Sequence, residues 1–101
     1  MSDNLTLREV QEHIRSFDHF PERQHVYFQK LIEEVGELAE VLRTGNRMVG
    51  DDIKGTIEEE LVDVLYYVAA IANLHDIDLA TCFEIKDRLN AVRYGRNVVA
   101  R

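Results

Sequence analysis

Apolar residues recur at helical spacing along almost the whole chain, interrupted by one proline and five glycines. The first helix begins at Thr6, where Thr6-x-x-Glu9 forms a capping box and Leu5 is placed to staple onto Val10. Its stripe is Leu7, Val10, Ile14 and Phe17. The segment from Phe17 to Glu22 closes that helix and opens the second, with Pro21 suited to a first turn. Helix two runs to about Arg43 on a stripe of Phe28, Leu31, Ile32, Val35, Ala39 and Leu42, and Gly45 suits the C′ position. TGNRMVGDDIKG, from Thr44 to Gly55, has three glycines and no stripe, so it is the one substantial loop. Thr56 with Glu59 gives a second capping box and opens helix three, which continues to about His75. Asp78 caps helix four, from Leu79 to about Tyr94 before Gly95. The expectation is an all-α, four-helix fold. It forms a single domain over 1–101, with its core at 5–95 and a flexible tail at 96–101.

Composition narrows the function classes. With 46% hydrophobic residues the chain can build a core, but at 101 residues it gains from oligomerisation. A formal charge of −7, from 19 acidic and 12 basic residues, argues against binding a nucleic-acid polymer, which needs clustered Lys and Arg. A free nucleotide remains compatible when a metal neutralises phosphates and carboxylates together. The single Cys82 excludes an internal disulfide and reads as a small buried residue. The start MSDNLTLREV has no basic or apolar leader character, and the longest apolar run, Val64 to Ala72, is too short to span a bilayer. A cytoplasmic protein without membrane contact is expected.

The candidate chemistry lies in two acidic pairs, Glu34-x-x-Glu37 in helix two and Glu60-x-x-Asp63 in helix three. Residues three apart project from one side of a helix, so each pair offers two carboxylates to one point. Two such helices face to face can surround Mg²⁺, with Mn²⁺ as a substitute, the substrate phosphates completing the coordination. On a helical wheel Glu33, Glu37 and Glu40 lie nearly opposite Leu31, Val35 and Leu42, which by itself describes an ordinary solvated face. Helix three points the other way. Glu60 shares a line with Val64, Tyr67 and Ile71 in a helix that is apolar all round after Asp63, and carboxylates there are costly to desolvate unless paired, protonated or bound to metal. Gly36, between the acids, costs about 1 kcal/mol relative to Ala; it reads as a close approach or as a tolerated glycine. Lys86, Asn90 and Arg93 continue the line of Leu79 and Phe83 on helix four. They read either as phosphate contacts or as side chains extended into solvent. Lys30, one turn before Glu34, reads most simply as an ion-pair partner.

The motifs EEVGELAE, EEELVDVLYYVAAIAN and K-x-x-x-N-x-x-R-Y together resemble the MazG-like, all-α nucleoside triphosphate pyrophosphohydrolases, over roughly Gln29 to Tyr94. The resemblance implies Mg²⁺-dependent cleavage of a nucleoside triphosphate to the monophosphate and pyrophosphate. It makes Glu34, Glu37, Glu60 and Asp63 metal ligands and Glu33 an additional acid beside them; in the expected mechanism, Glu33 or Glu37 accepts the water's proton. Lys86, Asn90, Arg93 and Tyr67 become substrate contacts, and Lys30 is a further candidate for that role. Members selective for deoxycytidine nucleotides place tryptophan and histidine around the base, and this chain has no Trp. Gly95 stands where a proline often follows the Arg-Tyr pair. Phosphoribosyl-ATP pyrophosphohydrolases carry a histidine where Tyr67 follows Tyr66, so that activity is a lesser alternative. A non-catalytic acidic interaction module or a nucleotide sensor is the other. A third helix apolar all round, with a second needing cover on two faces, implies a homodimer or a homotetramer built as a dimer of dimers.

Overall fold

The computed structural model describes residues 4–100. Arg101, at the end of the expected tail, and the first three residues of the expected domain lie outside the described residues. Thr6 accepts the Glu9 amide at 3.1 Å and Glu9 accepts the Thr6 amide at 2.9 Å, so the capping box forms and α1 spans Leu7–Arg15. Pro21 opens a 3-10 turn, Pro21–Arg23, that runs directly into α2, Gln24–Thr44. Gly45 ends α2 in the left-handed region at φ 76°, where a side chain would be strained. Thr56 caps α3, Ile57–Leu74, by accepting the Glu59 amide. Only half of the second expected box forms. The Thr56 amide is taken by the Ile53 carbonyl, and the Glu59 carboxylate accepts from Gly55 at 2.9 Å instead. Asp78 caps α4, Leu79–Tyr94.

α2 and α3 form an antiparallel pair, α1 packs on α3, and α4 leans on α1. The core gathers Ile14, Tyr27, Ala69 and Ala70, flanked by Val10, Tyr66, Tyr67, Ile71, Leu74 and Leu79. Gln11 is buried beside Asn73. Its side-chain amide donates to the Asn73 side-chain oxygen at 3.1 Å and the Ile77 carbonyl at 2.7 Å, and its oxygen accepts the Leu79 amide at 2.9 Å. These bonds satisfy the backbone of the α3–α4 turn and fix α1 against it.

Several expected core positions lie outside. Phe17 and Leu5 are exposed, so the first stripe buries Ile14 and the unforeseen Gln11. On α2 the half-buried line is Leu31, Glu34, Leu38 and Val41, continuing from Tyr27, while Phe28, Ile32, Val35 and Leu42 face outward. Leu61, Val62, Leu65 and Val68 of α3 are exposed, so its apolar circumference is covered on one side only. Cys82 is exposed rather than buried. A Cβ on Gly36 would meet nothing within 4 Å, so no group among the described residues explains that glycine. The tail has no helix, but the Val99 amide donates to Asp87 at 2.6 Å.

Two dimensions describe the open packing. The radius of gyration is 15.6 Å, against about 13 Å for a compact domain of this length. The accessible surface is 7714 Å², against about 5,900 Å² for a monomer of this mass. Among the described residues no helix is long and apolar enough to cross a membrane.

Candidate metal and nucleotide site

The antiparallel α2–α3 pair brings the two acidic motifs together. Ligand oxygens of Glu34, Glu37 and Glu60 lie within 4.8 Å of one another, and so do those of Glu59, Glu60 and Asp63. Glu60 and Asp63 are half-buried on α3, and Glu34 is half-buried on the inner line of α2. One carboxylate oxygen of Glu60 is buried without a hydrogen-bond partner. A buried orphan acceptor costs stability unless something electropositive meets it.

The electrostatics follow from this crowding. Burial, then a hydrogen bond with Glu37 and the charges of Glu60, Glu37 and Asp63, push the Glu34 carboxyl up to about 7. Burial and the Glu37 and Asp63 charges raise Glu60; burial and the Glu59 charge raise Asp63. Without a cation, protons do what a metal would otherwise do. These hard, closely spaced oxygens suit a divalent cation.

Glu33 does not join the cluster: it is exposed and pairs with Lys30 at 3.7 Å. Glu59 joins it although the spacing argument used it only for capping; it stands four residues before Asp63, an interval that could have identified it. Glu34 and Asp63 line a cleft of about 340 Å³ with Tyr66 and Tyr67. Tyr67 also lines a neighbouring cleft with Lys30. On the other side, Glu37 and Glu60 border a hollow with Asn46 and Gly55 at the α2–α3 loop.

A second arrangement had no sequence signal. Asp18 accepts from the Tyr27 hydroxyl at 2.6 Å and from the Tyr66 hydroxyl, and the Phe20 amide donates to the Tyr27 oxygen at 3.1 Å. The α1–α2 connection is thereby tied to α3 next to the acids. Burial and the bond to Asp18 push Tyr27 up to about 12. Among the described residues no hydrogen bond or ion pair joins Lys86, Asn90 or Arg93 to these carboxylates. Their helix packs chiefly on α1, and the Arg93 guanidinium lies over its neighbour Tyr94, 5.4 Å from the ring centroid.

The MazG nucleotide pyrophosphohydrolase domain matches residues 22–92. Among solved structures the chain is similar to the N-tagged form of iMazG from Vibrio DAT 722, with 50% identity and a TM-score of 0.81 over 91% of this chain and 100% of that one. It is also similar to the C-tagged form, with 50% identity and a TM-score of 0.79 over 85% of this chain and 98% of that one. A search of the curated proteins gave no match. The matched region spans both acidic helices and most of α4, and at half identity over nearly the whole chain the fold and the domain agree: this protein belongs to the MazG nucleotide pyrophosphohydrolase family.

Proposed function

We propose that the chain cleaves the α–β phosphoanhydride of a nucleoside or deoxynucleoside triphosphate, non-canonical ones included, releasing the monophosphate and pyrophosphate. The observation that carries this reading is the convergence of Glu34, Glu37, Glu60 and Asp63, with the carboxyls of Glu34, Glu60 and Asp63 raised and an orphaned Glu60 oxygen. These four side chains, with Glu59 beside them, would hold Mg²⁺ or Mn²⁺. A bound divalent cation supplies neutralisation of phosphate charge and acidification of water. Glu37 is the better-placed proton acceptor for the attacking water, because its carboxylate belongs to the cluster whereas that of Glu33 lies outside it, paired to Lys30. Tyr67 borders the carboxylate cleft and the adjoining one, so it can contact the nucleotide between them.

The active form is a homodimer or a dimer of dimers. The chain exposes roughly 1,800 Å² more than a monomer of its mass should, and the outward line of α2, with Phe28 at 58% and Ile32 at 56% exposure, needs a cover. In that assembly Lys86, Asn90 and Arg93 of α4 contact phosphates of a site built with another copy.

The test is incubation with canonical, deoxy and modified nucleoside triphosphates and phosphoribosyl-ATP, with Mg²⁺, and identification of the products. Monophosphate with pyrophosphate is expected. Diphosphate with phosphate would contradict the cleavage site, and binding without turnover would make the protein a sensor. Asp63→Asn should abolish turnover and raise the melting temperature of the metal-free protein, by roughly 4–8 °C for each 1 kcal/mol of repulsion relieved. An active Asp63→Asn enzyme would remove Asp63 from the ligand set.

A further inference from the structure

Among the described residues no ion pair joins the acidic cluster to Lys86 or Arg93 of α4, the helix that packs on α1. Two other cations stand close by. Arg23, at the end of the 3-10 turn, and Lys30, two turns into α2, line a cleft of about 150 Å³ together with Phe20, Tyr27, Asp18 and Tyr67. Tyr67 is also a wall of the cleft that holds Glu34 and Asp63, so the two clefts adjoin.

We propose that Arg23, with Lys30, binds the phosphates of the substrate beyond the reacting α-phosphate. Arg23 forms no ion pair among the described residues. Its guanidinium lies over the Phe20 ring, 5.3 Å from the centroid, which restrains it while leaving its N–H groups available. Phe20 is held in turn: its amide donates to the Tyr27 hydroxyl, and that hydroxyl donates to Asp18. The Asp18 carboxylate is occupied by Tyr27 and Tyr66, so the acid in this cleft supports its walls. Counting Asp18 against Arg23 and Lys30, the cleft is net positive by one in a chain of net charge −7. Among the described residues the one ion pair of Lys30 is an exposed contact to Glu33 at 3.7 Å, a weak bond that an anion can displace. A planar guanidinium takes two phosphate oxygens at once, and the lysine adds a point charge. The orientation this gives is directional, with pyrophosphate toward the α1–α2 connection and the α-phosphate over the carboxylates.

This inference rests on the pyrophosphohydrolase reading, and its test separates the two. Binding of inorganic tripolyphosphate with Mg²⁺ is measured by calorimetry on the full chain for wild type, Arg23→Ala, Arg23→Lys and the control Arg88→Ala. KM and kcat for the best triphosphate are measured alongside. Arg23→Ala should weaken tripolyphosphate binding and raise KM by about ten- to a hundredfold, since hydrogen bonds to charged groups carry that much. Arg23→Lys should recover part of the loss, and Arg88→Ala, which removes the same charge elsewhere, should change neither. Wild type that hydrolyses triphosphates while Arg23→Ala keeps its affinity and KM would overturn the phosphate cleft and leave the activity standing. Tripolyphosphate binding that depends on Arg23 in a protein without turnover would keep the cleft and remove the activity. Wild type that binds no tripolyphosphate, or an equal loss in Arg88→Ala, would also overturn the cleft.

Discussion

Glu34 keeps a proton up to about pH 7, burial being the chief cause and the neighbouring carboxylates the next, whereas in the unfolded chain it would lose it near 4.5. Between those values the folded state binds a proton that the unfolded state has released, so stability falls as pH rises through the window and levels off above it. Glu60 and Asp63, also raised, act in the same direction. The lowered carboxyls Glu9, Glu58 and Asp78 act on the opposite side: their contribution is lost only as pH falls below the usual carboxylate range. The metal-free protein should therefore show a melting temperature that declines from about pH 4.5 to about pH 7, with millimolar Mg²⁺ flattening the decline. A melting temperature that climbs across that window, or one insensitive to Mg²⁺, would count against the carboxylate cluster. At this scale the four spaced acids were legible because one-turn intervals are a property of sequence. Asp18 was not, since one of its partners, Tyr66, stands forty-eight residues away and no local interval connects them.

The connection between α1 and α2 behaves as an element in its own right, pinned by Asp18 to both tyrosines and steadied by the 3-10 turn. Asp18→Ala leaves two partly buried hydroxyls short of an acceptor. It should cost about 1–3 kcal/mol for each hydroxyl left unsatisfied, with Asp18→Asn milder because it keeps one carbonyl oxygen. Urea unfolding reads both, and an unchanged midpoint in Asp18→Ala would show that the network carries no stability. The helix boundaries were readable from caps: Thr6, Gly45, Thr56, Asp78 and Gly95 all end or begin helices as their chemistry dictates. The inner face of α2 was not. Two lines interleave one residue apart, and the more apolar one, through Phe28, Ile32, Val35 and Leu42, is turned outward. The line buried against α3 carries Tyr27 and Glu34. Hydrophobicity identifies a face that wants cover without saying which neighbour supplies it.

At the scale of the whole molecule, the excess surface and large radius of gyration describe an openly packed chain, and the proposed assembly would supply the cover it lacks. Sedimentation should give a dimer or tetramer, and the melting temperature should rise with protein concentration, because association stabilises the folded state by mass action. Phe28→Glu, which places a charge on the outward line of α2, should lower the assembled mass and the melting temperature together. A monomeric wild type of full stability would refute the assembly.

By itself the sequence determined the all-α class, the positions of four helices and the two acidic intervals, because caps, periodicity and one-turn spacing are local properties of a chain. Tertiary structure decided the rest. The antiparallel α2–α3 pairing made two carboxylate pairs one half-buried cluster with Glu59 in it, and desolvation there raised the carboxyls of Glu34, Glu60 and Asp63. α4 packs on α1 with no ion pair from Lys86 or Arg93 to these acids among the described residues, and the turn at Pro21 brought Arg23 to the cleft that adjoins them. Burial and charge proximity depend on which surfaces meet, and that is set by the balance of contacts over the whole chain.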